Sequence, residues 1–136
     1  MAKFVSTDWK TTINGVDFST SLASVELSIE ADDVETTAFG SGWRSRTQGL
    51  KAASLALSFH QDFAAGAIDA TIWPLVNSGA MATVVITPTS GSVTATNPSY
   101  TVLAVPNAYT VSGAVGDLAT VDVTWPVNGT VVRGTA

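Results

Sequence analysis

Apolar and polar positions alternate with period two along three stretches of the chain. In 22–30, Val25, Leu27 and Ile29 share one face, and Ser24, Glu26, Ser28 and Glu30 share the other. In 51–60, Ala53, Leu55, Leu57 and Phe59 alternate with Ser54, Ala56, Ser58 and His60. In 118–125, Ala119, Val121, Val123 and Trp125 alternate with Thr120, Asp122 and Thr124. Period two predicts strands with one dry face. After residue 60 the period changes. Ala64, Ile68, Ile72 and Leu75 recur at spacings of four, four and three, which is one face of a helix. The pattern predicts a helix over 64–73 with Asp62 as its N-cap. Pro74 should end it near Trp73, because the residue before proline is driven out of the α region.

Turn signals divide the rest. Asn14-Gly15 lies between Thr11-Thr12-Ile13 and Val16-Asp17-Phe18, the pattern of a two-residue hairpin. Val84, Val85 and Ile86 read as a strand buried on both faces within 80–87. The Ser/Thr/Gly/Pro-rich stretch 88–98 reads as a loop with a short strand at Val93. A strand over 100–105 stopped by Pro106 follows, then a short strand over 108–111 and a turn at Gly113 and Gly116. Pro126 ends the strand 118–125 or puts it at a sheet edge. Asn128-Gly129 predicts a last hairpin returning through Thr130, Val131 and Val132. Residues 1–8 read as an N-terminal arm.

Residues 31–49 show neither period. They begin acidic (Asp32, Asp33, Glu35), pass through Gly40-Ser41-Gly42 and end basic with Arg44 and Arg46. A loop of this length is uncommon in a compact domain. Phe39 and Trp43 look like anchors for a surface that one copy of the chain does not supply. The opposite charges at the two ends would suit docking on a second copy. The expected fold is one mostly-β domain over 1–136: a β-sandwich or rolled barrel of seven to nine strands with one flanking α-helix.

Composition adds a hint of assembly. Charged residues make up 12% of the chain, against a usual share of about 25%. Weakly polar surfaces of this kind tend to become subunit contacts. The net charge of −5 and six scattered basic residues argue against a grip on nucleic acid. There is no cysteine, hence no disulfide frame and no thiolate chemistry. The first ten residues lack the apolar core of a secretory signal, and no apolar run approaches the roughly 20 residues of a membrane span. Synthesis in a cytoplasm is the expectation.

Candidate chemistry is sparse. His60 is the single histidine, with Ser58 and Asp62 two residues to either side. A solvated strand histidine is preferred over the base of a hydrolase, since a triad is a matter of geometry. One histidine and no cysteine nearly exclude zinc. Asp32, Asp33 and Glu35 could hold a hard cation such as calcium, but a solvated acidic turn is the default without an EF-hand loop. Gly40-Ser41-Gly42 is too short for a phosphate loop. The sequon Asn128-Gly129-Thr130 reads as a turn. Of the tryptophans, Trp73 and Trp125 are expected to be packed. Trp9 and Trp43 could stack on sugars, although subunit contact is preferred. No catalytic residue, metal or cofactor is expected.

The outer faces of the three alternating strands carry short side chains, no Lys or Arg, and a negative balance. One reading is an ordinary wet sheet face. The other is a smooth acidic wall that repels phosphates and has no strong donor to hold them. A conduit for DNA would need that property.

The segments I-N-G-V-D-F-S, V-E-L-S-I-E-A-D-D-V-E-T-T-A-F-G, G-L-K-A-A-S-L-A-L-S-F-H-Q-D-F-A-A-G-A-I-D-A-T-I-W-P-L, N-P-S-Y and V-G-D-L-A-T-V-D-V-T-W-P, taken in this order, resemble the major tail tube protein of long, non-contractile-tailed bacteriophages. The resemblance covers about 13–126. It implies a β-sandwich-like barrel with one outer helix, in hexameric rings that stack into a tube in the virion tail. Ser24, Glu26, Ser28, Glu30, Ser54, Ser58, His60, Thr120, Asp122 and Thr124 would then face the lumen. Residues 31–49, with Asp32, Asp33, Glu35, Phe39, Trp43, Arg44 and Arg46, would be the long inter-subunit loop. The implied partners are further copies of the chain, a tape-measure protein in the lumen, tail terminator and tail tip proteins, and double-stranded DNA passing without specific binding. No further C-terminal immunoglobulin-like domain, present in some relatives, is expected. A carbohydrate-binding or adhesin-like β-sandwich using Trp9 and Trp43 is the alternative.

Overall fold

One strand belongs to both layers of the fold. The computed structural model describes Val5 and residues 8–135; most of the expected N-terminal arm therefore lies outside the described residues. The elements are β1 (Lys10–Ile13), β2 (Val16–Asp17), β3 (Leu22–Glu35), β4 (Arg46–His60), α1 (Ile68–Ser78), β5 (Ala82–Thr87), β6 (Ser99–Ala104) and β7 (Thr120–Gly134). The strands form one antiparallel ribbon in the order β2-β1-β5-β6-β7-β4-β3. Residues 120–126 of β7 pair with β4, and residues beyond them pair with β6. The ribbon thus folds at β7 into two layers. Their apolar faces share one core, in which Leu55, Leu57, Phe59, Val121, Val123 and Trp125 of one layer meet Ile13, Val84, Ile86, Val102 and Ala104 of the other. The rings of Phe18 and Phe59 meet edge to face at 6.1 Å, the geometry their quadrupoles favour.

The Asn14-Gly15 turn forms as expected, with φ of 50° and 84° at its two residues and Ile13 paired with Val16. Both angles are positive, as a turn matching strand twist requires. The Asn14 side chain also accepts from the Thr83 N–H at 2.9 Å, tying the turn to β5.

The helix differs from the expectation at both ends. It starts at Ile68 rather than 64 and runs through Pro74 to Ser78, where Gly79 at φ 76° donates its N–H to the Leu75 carbonyl. Pro74 removes one helix hydrogen bond, a cost of about 3 kcal/mol in an exposed helix. Ile68 and Ile72, both wholly buried, together offset a similar amount by leaving water. Asp62 is not the N-cap. Its carboxylate accepts from Ala64 N–H and its carbonyl from Asp69 N–H, and Ala67 holds the cap position without a side-chain bond. Trp73, expected to pack, is 53% exposed.

Three further expectations are corrected. Asn128-Gly129 makes no hairpin. β7 continues through it as a bulge, with Gly129 at φ 80°, because β7 advances four residues between Val132 and Asn128 while β6 advances two. Pro126 neither ends the strand nor marks its edge. It sits where β7 passes from β4 to β6, so its missing N–H is not needed by a ladder. Residues 108–111 form no strand; the Ala108 carbonyl instead accepts from the buried Trp125 indole at 2.9 Å. In β5, Val84 and Ile86 are buried and Val85 is half-buried, with Thr83 exposed, so one face is dry rather than two. In 88–98 there is a lone bridge between Thr94 and Asn97 in place of a strand at Val93.

Candidate assembly surfaces

Residues directly opposite in a ladder share a face. Ser24 pairs with Ser58, Glu26 with Ala56, Ser28 with Ser54 and Glu30 with Ala52. Across the other edge of β4, Ala56 pairs with Thr124, Ser58 with Asp122 and His60 with Thr120. The ten polar residues singled out from the sequence therefore lie on one face of the β3-β4-β7 layer, opposite the core. Three are carboxylates (Glu26, Glu30, Asp122), and the face carries no Lys or Arg at these paired positions. Ser58 donates to Asp122 Oδ1 at 2.6 Å. Among the described residues no hydrogen bond joins His60 to Ser58 or Asp62, so no catalytic chain is assembled there.

The 31–49 stretch is not the open loop expected. β3 and β4 continue past the two-layer body as a two-stranded ribbon, pairing Asp33 with Gln48, Val34 with Thr47 and Glu35 with Arg46. A register shift follows the Ala31–Lys51 pair, where a Cβ on Gly49 would come within 3.0 Å of the Asp32 and Val34 side chains. Only 36–45 remain as the tip. Thr36 N–H bonds the Ser45 carbonyl at 2.8 Å, and Ser41 Oγ bonds the Trp43 carbonyl at 2.6 Å. The opposite charges meet within the hairpin, Arg46 with Asp33 and Arg44 with Glu35 at 3.4 Å, rather than standing free for another copy. Among the described residues, Asp32, Asp33 and Glu35 are not gathered into a cluster of three metal-ligating side chains. Phe39 is fully exposed and Trp43 is 88% exposed.

No protein-family model and no curated protein matches the sequence. Solved structures do match. The chain superposes on a sheath/tube terminator structure of the PVC extracellular contractile injection system with a TM-score of 0.77 at 17% identity, over 99% of both chains. On the SPP1 tail tube the TM-score is 0.74 at 10% identity, over 95% of this chain and 77% of that one. On the tail of an empty gene transfer agent (GTA) particle, refined with C6 symmetry, it is 0.66 at 17% identity, over 85% and 83%. The chain has the tail tube fold. Because a contractile injection system is among the matches, the fold does not separate contractile from non-contractile tails.

Within this tail tube fold the structure shows two further features, the second of which reading the sequence missed. The first is a pair of open strand edges: among the described residues no strand pairs with the outer edge of β3 or with that of β7 over 120–125. The second is an anchored loop over 105–119. It has no regular element, yet Gln61 N–H bonds the Ala119 carbonyl at 2.9 Å, and Tyr109 donates to Asp69 at 2.7 Å while accepting from Gln61 at 2.9 Å. Burial, then the bond to the Asp69 carboxylate, pushes the Tyr109 hydroxyl above its ordinary pKa. Val111, Val115 and Leu118 stand exposed on this loop. Their spacing carries no strand or helix signal by which to find them. Trp9 is half-buried against the core, which leaves the sugar-stacking alternative without its pair of open rings.

Proposed function

We propose that the chain is a structural virion protein that polymerises as stacked hexameric rings into a tail tube, with the acidic face lining the bore through which DNA is ejected. The observation that carries this reading is one polar face with three carboxylates, bounded on both sides by an open strand edge, in a chain with the tail tube fold. β3 and β7 are both antiparallel to β4, so they run in the same direction. Rotation about an axis along the strands preserves direction. In a ring, β3 of one copy would therefore meet β7 of the next in parallel, a head-to-tail contact that closes on itself. Closure removes both edges, which would otherwise invite uncontrolled pairing. Six copies follow the C6 symmetry of the GTA tail. The partners are further copies of the chain, a tape-measure protein during assembly, and terminator and tip proteins at the ends. No chemistry is performed. The bore works by not binding: it offers phosphates like charge and no strong donor.

Electron microscopy of the purified protein, alone and with its tape-measure partner, tests the proposal. Hollow tubes or six-fold rings are expected. Compact single copies at high concentration with the partner present would refute it.

A further inference from the structure

Among the described residues the two layers leave an opening on the β3 side. Val25, Leu27 and Ile29 sit on the core face of β3, opposite Leu57, Leu55 and Ala53 of β4. Leu55 and Leu57 are buried, but Ile29 is 53% exposed. Between these three β3 residues and Ile86 of β5 and Tyr100 of β6 lies a recess of about 290 Å³, its lining completed by Trp9. The six lining residues carry no charge. The volume falls just below the roughly 300–1,000 Å³ of sites for drug-sized ligands, so the recess suits one or two side chains. Apolar surface with aromatic walls, left open to water, is a marker of an interaction site.

The start of the chain is fixed at the rim of this recess. Trp9 lines it, and the preceding residue is tied down: the Asp8 carboxylate accepts from the Ser90 N–H at 3.1 Å and from the Ser90 hydroxyl at 2.8 Å. These bonds, the hydroxyl's first, hold the Asp8 carboxyl below its ordinary pKa. Phe4 is five residues from Trp9, a reach of up to about 17 Å. Ala2 and Phe4 alternate with Lys3 and Val5, and Val5 stands 77% exposed. On an extended chain the residue before Val5 points to the opposite face. We propose that residues 1–7 form a strap across the opening, with the Phe4 ring seated in the recess of its own copy, against Trp9 and Tyr100. So short a tether gives the ring a millimolar effective concentration there, which the same segment of a second copy does not match in dilute solution. The strap covers apolar interior beside the open edge of β3, and so guards a single copy against unwanted pairing at that edge.

Single copies in dilute solution test the strap, with no tube needed. The absence of cysteine lets paired cysteines report a single contact. Chains carrying both Phe4→Cys and Ile29→Cys, oxidised in dilute solution, should give a looped single chain that runs ahead of its reduced form on a gel, and neither single variant should. Phe4→Asp should raise the binding of a hydrophobic dye and lower the folding constant in urea roughly tenfold or more, while Phe4→Leu should stay close to the unaltered chain in both. No looped chain from the paired cysteines, or a Phe4→Asp variant with unaltered dye binding and urea midpoint, would overturn the proposal. So would linked pairs of chains in place of the looped one, which would seat Phe4 in the recess of a second copy. Since every readout is taken on single copies, failure of the strap leaves the tube reading standing, and failure of the tube leaves the strap.

Discussion

Reversing charge on the acidic face puts a magnitude on the idea of a non-adhesive bore. Glu26→Lys with Asp122→Lys turns the three carboxylates of each copy into one carboxylate and two ammonium groups. Both positions are exposed, and the one bond lost is that from Ser58 to Asp122. The nine residues 22–30 span about 30 Å, over which duplex DNA carries roughly 18 phosphates. Six copies in the proposed ring would present a similar number of carboxylates, about 18, so in the unaltered ring like charge would face like charge along the whole passage. The variant presents about 12 lysines instead. If only about three per ring touched phosphates, binding would fall with a log–log salt slope near −2.7, or about 40-fold per ring between 50 and 200 mM salt. The assay is co-sedimentation of a labelled duplex with purified tubes across that range. Unaltered tubes should leave the DNA in solution throughout. Variant tubes should retain it at 50 mM and release it by 200 mM, and particles built from them should eject slowly or not at all. Variant tubes that leave DNA free at 50 mM, or unaltered tubes that hold it, would refute the reasoning.

Three other outcomes follow from particular residues. Thr11 is wholly buried and its hydroxyl has no partner among the described residues; an unpaired buried hydroxyl costs about 1–3 kcal/mol, so Thr11→Val should raise the urea midpoint by about 1 kcal/mol of stability, and a lower midpoint would show that the hydroxyl is satisfied. Tyr109→Phe loses the bonds to Asp69 and from Gln61 and should cost about 1–2 kcal/mol near neutrality. Because the folded hydroxyl titrates above its unfolded value, its contribution is complete below the unfolded pKa and fades as pH rises through the folded one. The gap between the two proteins should therefore narrow above about pH 10 in denaturation series, and a constant gap would remove the proton from the account. Deleting 39–43 keeps the Glu35–Arg46 pair that closes the ribbon and should leave a folded chain that makes no tubes; normal tubes would remove the role of the tip.

What could be read before the structure was whatever burial imprints on local order. Leu55, Leu57, Phe59, Val121, Val123 and Trp125 alternate because one face of each strand is dry. The ribbon beyond Ala31 has no dry face. Val34 is 45% exposed and Leu50 83%, so its strands leave no period in the sequence and read as a loop. The helix registered through Ile68 and Ile72, but its end was misplaced, because local backbone preference at Pro74 yields to a buried apolar face. The Pro126–Gly129 stretch looks like a turn for a related reason. What carries the strand straight on is its second partner, β6, far away in sequence. Open edges are defined by a pairing that does not occur, and so have no signature in the order of residues.

On the proposed tube, the charges that would keep DNA off the wall would also act on assembly. Closing the proposed ring would set β3, with Glu26 and Glu30, beside β7 of the next copy, with Asp122, at a strand spacing of about 4.8 Å. These carboxylates then share one narrow band, well within the Debye length of about 10 Å at 0.1 M salt. Like charge at both open edges therefore opposes the pairing that those edges otherwise invite, which is how natural sheets guard against premature association. Growth should be slow at low ionic strength and should quicken as salt screens the band or as pre-formed rings supply a template. Glu26→Lys with Glu30→Lys puts opposite signs at the two edges, so growth of that variant should be fastest at low salt and slow as salt is added. Light scattering of tube growth against ionic strength reads the sign directly. The same salt response in both proteins would mean that the carboxylates of neighbouring copies do not meet, and would place the acidic face somewhere other than at the ring contact.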